Sequence, residues 1–126
     1  MKILYAASEI LPFASTGGLA DISGALPISM TRRGVESIRV MPLYRKVAEG
    51  GFQLKDTGVR VDIPVGFKSH KAEMWLKEDP VCPTYFVRRD EFFDRSQLYS
   101  LPERDYDDNF ERFVFFQKAV VAMIDA

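Results

Sequence analysis

A short apolar run, a glycine-rich loop, a helical stripe and a second apolar run follow one another at the start of the chain, and that order leaves few folds open. Lys2–Ala7 is apolar and ends at polar Ser8-Glu9, which suits a buried parallel strand. Small residues follow in Ala14-Ser15-Thr16-Gly17-Gly18. Leu19, Ile22, Leu26 and Met30 then recur at helical spacing, which predicts a helix with that stripe facing the core. Asp21 falls in its first turn, where a carboxylate favours the positive end of the helix dipole. Pro27 interrupts the pattern and predicts a kink, or a cost of about 3 kcal/mol in an unadapted helix. Arg32-Arg33-Gly34 is a stop signal, and Ser37–Met41, closed by Pro42, reads as a second buried strand. Strand, glycine loop, helix, strand is the opening of a Rossmann-like unit with a right-handed crossover.

Further along, Val59–Ile63 alternates, and Ala72–Lys77 and Thr84–Val87 are strand candidates, some paired as hairpins. The fold class expected is therefore α/β, a mainly parallel sheet with helices on both faces and some antiparallel hairpin strands. Lys68-Ser69-His70-Lys71 reads as a polar turn with an exposed His70. A last helix is expected to place Phe110, Phe113, Val114, Val121 and Ile124 on its core face, with Asp107 or Asp108 as N-cap.

Composition narrows the partners. Lys plus Arg total 17 against 18 Asp plus Glu, a net charge of -1, so no bulk attraction draws the chain to nucleic acid or to an anionic membrane. No apolar segment approaches the roughly 18 residues that span a bilayer. The only cysteine, Cys82, cannot form an internal disulfide and reads as a packing residue; no metal-ligand spacing surrounds it. Met1-Lys2 runs straight into the first strand without a leader, which implies a cytoplasmic protein, a trimmed plastid one being the lesser alternative.

The chemistry is expected at Gly17-Gly18. Backbone N–H groups converge where a loop enters a helix, and glycines let a phosphate or sugar approach the backbone. The pair is neither a dinucleotide fingerprint nor a Walker loop, and close strand–helix packing is the other reading of it.

Two blocks carry a resemblance. Ser8-Glu9, Pro12-Phe13, Thr16-Gly17-Gly18-Leu19-Ala20-Asp21 and Gly24-Ala25-Leu26-Pro27 form the first. The second comprises Phe93-Asp94-Arg95, Leu98-Tyr99, Tyr106, Asp108-Asn109, Arg112-Phe113, Phe116 and Ala119. In order and type these resemble the opening of bacterial glycogen synthases and plant starch synthases, and the likeness covers essentially the whole chain, Pro27 included.

The resemblance implies a GT-B glycosyltransferase, two Rossmann-like domains with a cleft between them. Such enzymes transfer glucose from ADP-glucose to the non-reducing end of an α-1,4-glucan with retention, and need neither metal nor other cofactor. Residues 1–126 would be an incomplete N-terminal domain, ending inside or just after a helix and before a His-Asp-Trp landmark; the C-terminal domain is absent. No catalytic residue is assigned, and the isolated chain is expected to be inactive. Gly17 and Gly18 would face the donor phosphates and glucose. Asp21 would shape the cleft, plain helix capping being its alternative, and Tyr99 would line the glucose site or else be packing. Ser15 departs from the family, which has a lysine there; a serine cannot neutralise a diphosphate. That departure keeps a second function class open, a non-catalytic glucan-binding or regulatory homologue.

Overall fold

The computed structural model describes residues 1–124. The elements run β1 (Lys2–Ala6), α1 (Gly18–Arg32), β2 (Glu36–Pro42), α2 (Arg45–Ala48), β3 (Lys55–Val65), β4 (Lys68–Lys77), β5 (Thr84–Arg88), α3 (Asp90–Phe93) and α4 (Asn109–Ile124). They build one five-stranded mixed sheet in the order β1-β2-β5-β4-β3. The three strands β1, β2 and β5 are parallel, and β4 and β3 extend the sheet as an antiparallel hairpin. The expectation that the chain ends inside or just after the last helix concerns Asp125 and Ala126 and lies outside the described residues.

The two long helices cover opposite faces. Arg39 on β2 reaches the Gly24 carbonyl of α1 at 3.4 Å. Its neighbour Ile38 points the other way, into a cavity shared with Met123 of α4. Among the described residues β1 pairs with β2 alone, so it is a half-buried edge strand rather than a fully buried one.

The α1 stripe faces outward, against expectation: Leu19 and Ile22 are 44% and 55% exposed, Leu26 is also exposed, and Met30 is half-buried. The buried face is Ala20, Ser23, Gly24 and Pro27, small residues at the same helical spacing. A small-residue face lets the helix sit close to the sheet, and close approach outweighs the burial of longer side chains. Pro27 lies on that face, and the helix runs through it. Beyond Arg32, Gly34 adopts φ +92° and the Val35 N–H reaches back to the Met30 carbonyl at 3.0 Å, the close that the Arg-Arg-Gly signal predicts.

α4 is rotated from its expected face. Phe110 is 82% exposed, and Val121 and Ile124 are also exposed. Arg112, Phe115, Phe116, Ala119 and Val120 are buried instead. The helix carries large apolar residues on several faces, and the one holding Phe115 and Phe116 joins the aromatic cluster with Phe92 and Phe93. Asp108, just before the first helical residue, spends its carboxylate on Arg95 at 2.6 Å rather than on a cap.

His70 is also corrected. It sits inside β4 opposite Ile63, with the turn at Gly66 (φ +61°) and Phe67, and it is only 6% exposed. Alternation along the strand turns its ring inward against Phe92 and Phe115, and Arg89 meets its Nδ1 at 3.2 Å. Cys82 is fully buried, with its thiol directed at the Ser37 carbonyl.

Candidate functional site

At the C-terminal end of β1 the chain enters a loop, residues 7–17, that delivers it to α1. The buried apolar side chains Ala7, Ile10, Phe13 and Ala14 anchor this loop. The Phe13 ring meets Phe52 and Phe86 edge-on, at 4.8 and 5.1 Å between centroids. The Leu11 N–H is tied to the Ala20 carbonyl of α1 at 3.1 Å. The anchors leave Ser15, Thr16, Gly17 and Gly18 exposed at the tip.

Gly17 and Gly18 are not packing residues. A Cβ built on either meets nothing within 4 Å, and neither has a positive φ. The glycine that closes helix onto loop is Gly24, where a Cβ would lie 2.9 Å from the Leu11 Cβ and 3.0 Å from its carbonyl oxygen. Gly17 caps α1 in extended conformation (φ -174°) with no side-chain cap. Gly18 and Leu19 begin the helix, so their N–H groups have no partner one turn back and point out of its positive end. An anion meets uncovered backbone there.

Glu9 lies beneath this tip, 4% exposed. Its Oε1 accepts the Thr16 N–H at 2.6 Å, and its Oε2 accepts the Thr16 hydroxyl at 2.7 Å and the Tyr99 hydroxyl at 2.6 Å. Burial pushes the Glu9 carboxyl up, but the Tyr99 hydroxyl, the Thr16 donors and the Gly17 N–H together hold it below the ordinary carboxylate range. The Tyr99 phenol is pushed up, by burial first and then by its bond to Glu9. Ser8 is within 2.8 Å of the same hydroxyl.

Tyr99 is in turn held by the second sequence block. Its carbonyl accepts the Asn109 side-chain amide at 2.8 Å and the Tyr106 N–H at 3.0 Å, and its ring lies 5.8 Å from that of Phe113. Arg112, wholly buried, donates to the Asn109 side-chain oxygen at 2.7 Å and to the Phe92 carbonyl at 2.6 Å. A cleft of about 410 Å³ opens beside these groups, lined by Ala6, Ala7, Ser8, Phe113, Phe116, Gln117 and Val120. The larger, apolar cavity lined by Lys2, Glu36, Ile38 and Met123 lies at the other end of β1, away from the loop.

Of the five predicted site residues, Ser15, Gly17 and Gly18 stand together at the loop tip, and Tyr99 reaches the tip through Glu9. Asp21 stands apart, exposed on the first turn of α1, with no side-chain hydrogen bond or ion pair among the described residues. Ser15 likewise makes no side-chain hydrogen bond among them. Sequence reasoning passed over Glu9 and Arg112 as chemistry. The available signal was a carboxylate directly after an apolar strand in the first block, and an arginine amid aromatics in the second.

Residues 2–126 match the family model described as the starch synthase catalytic domain. The chain belongs to that family. It is 41% identical over 124 residues to a glycogen synthase of Syntrophotalea carbinolica, covering 98% of this chain and 26% of that protein. To glycogen synthase 2 of Geobacter sulfurreducens it is 37% identical, with the same coverage. The chain thus spans about a quarter of the length of the relatives it matches. The catalytic domain of starch synthase IV from Arabidopsis thaliana, solved with ADP and acarbose bound, shares its fold. The TM-score is 0.79 at 23% identity, over 97% of this chain and 24% of that one. Among the described residues no helix is long and apolar enough to cross a membrane, and no cluster of His, Cys, Asp and Glu could hold a metal ion.

Proposed function

We propose that this chain is the N-terminal part of a cytoplasmic glycogen or starch synthase. The enzyme would transfer glucose from ADP-glucose to the non-reducing end of an α-1,4-glucan with retention. The observation that carries the reading is the meeting of the two sequence blocks: the 2.6 Å bond from Tyr99 to Glu9 fastens the second block to the base of the glycine loop in the first. The names of the relatives, and the ADP and acarbose in the Arabidopsis structure, support the same substrates.

In this reading Gly17 and Gly18 admit the donor phosphates and glucose to the backbone, and the Gly18 and Leu19 N–H groups offset charge growing on the leaving diphosphate. Asp21 and Tyr99 flank the sugars. A C-terminal domain supplies the opposite wall of the cleft, so the 126 residues alone transfer nothing. The test compares the full-length protein with residues 1–126 for transfer of radiolabelled glucose from ADP-glucose to glycogen. Transfer by the full-length protein alone is expected.

Ser15 favours a second reading, a glucan-binding or regulatory protein without transfer, because the exposed loop tip lacks the family lysine. A full-length protein that binds glycogen but transfers no label would establish it.

A further inference from the structure

We propose that Glu9 is a positioning residue that sets the shape of the glycine loop, and that the Tyr99 hydroxyl acts on the loop through it. The inference rests on the synthase reading for its kinetic consequence and on the geometry alone for the clamp.

A buried carboxylate is costly unless it is paired or fully hydrogen-bonded. Glu9 has no basic partner within ion-pair distance among the described residues. Its compensation comes from the Thr16 N–H and hydroxyl and the Tyr99 hydroxyl. Two of those three donors belong to the loop, so the charge holds the loop rather than facing a ligand. The third belongs to a residue 90 positions away. Tyr99 is fixed at its carbonyl by Asn109 and Tyr106 and along its ring by Phe113, so its hydroxyl is presented from a rigid base.

The consequence is directional. With the Thr16 N–H and hydroxyl turned inward on Glu9, the N–H groups of Gly18 and Leu19 are left for an anion. Release of the carboxylate frees Thr16 to swing and blurs the aim of the outer pair. Tyr99 therefore influences a donor by holding Glu9, even where its hydroxyl touches no sugar.

The test uses Glu9→Gln, Tyr99→Phe and the double variant in the full-length protein. Glutamine keeps one acceptor for the loop amides, and phenylalanine keeps the ring on Phe113, so both single variants retain the packing. Hydrogen exchange of the peptide carrying Thr16 and Gly17 is expected to quicken in both, with the sheet peptides unchanged. The KM for ADP-glucose is expected to rise about tenfold in each, with kcat changed less, as for loss of one hydrogen bond to a charged group. The double variant is expected to be no worse than about the poorer single one, because both break one unit. Unaltered exchange at Thr16 and Gly17 in Glu9→Gln overturns the clamp. Fully additive losses in the double variant overturn the claim that Tyr99 acts through Glu9. If even the unmodified full-length protein transfers no glucose, the synthase reading falls, and the exchange measurement still decides the clamp.

Discussion

Gly18 and Gly24 lie six residues apart in one sequence block and do opposite things. Gly24 faces the loop so closely that a methyl group would strike Leu11, whereas Gly18 faces open space. Glycine serves close packing at Gly24 and leaves open space at Gly18. A motif can therefore join two requirements, a helix pressed onto its loop and an uncovered helix start, that only the structure separates.

The largest effect expected from this contrast is on stability at Gly24. Gly24→Val places a Cβ within 2.9 Å of the Leu11 Cβ and 3.0 Å of its carbonyl, and the loop backbone cannot retreat as a flexible side chain would. A loss of about 3 kcal/mol is expected in denaturant unfolding. A loss below about 1 kcal/mol would erase the contrast, because Gly24 would then be no tighter than Gly18.

Ser15 sharpens the other side. It is exposed at the uncovered tip, so Ser15→Lys should leave unfolding unchanged. In the full-length protein kcat/KM for ADP-glucose should rise about tenfold through the added charge, some 1.4 kcal/mol. An unchanged or lower value would mean that the loop tip is an altered donor site rather than a weakened one.

Part of this was legible before the structure. The order of apolar runs, glycines and the Arg32-Arg33-Gly34 stop revealed the parallel unit, and the alternation in Val59–Ile63 revealed a hairpin strand. The buried faces were not legible. On α1 the small residues Ala20, Ser23, Gly24 and Pro27 carry little hydrophobic signal, so Leu19, Ile22 and Leu26 stood out although they face outward. On α4 apolar residues occur on several faces, and only the aromatic cluster selects one. His70 was misplaced because its polar neighbours suggested a turn, whereas its strand partner Ile63 lies on a separate run. The candidate site was half legible. Ser15, Gly17 and Gly18 share a short loop, but the Glu9–Tyr99 contact crosses 90 residues, and no local pattern encodes that distance.

A smaller effect should follow pH. Glu9 has a folded pKa below its unfolded value of 4.5, so its contribution to stability is present above about pH 4.5 and is lost as pH falls through the lower folded value. Glu9→Gln should therefore lie below the unmodified protein in stability at neutral pH, and the gap should narrow in acid. A gap that widens in acid would show that the carboxylate is not held ionised by the loop.

The smallest stability effect is expected at Gly18. Gly18→Val meets nothing within 4 Å at its Cβ, and Gly18 has no positive φ at which a valine would be strained, so unfolding should change by no more than about 0.5 kcal/mol. The decisive measurement sets thermal unfolding beside initial rates with ADP-glucose on one preparation of the full-length variant. An almost unchanged melting temperature is expected, with kcat/KM lowered at least about tenfold, because the Cβ would occupy the proposed donor site. Full activity with a sharply lowered melting temperature would contradict it and make Gly18 a packing residue after all.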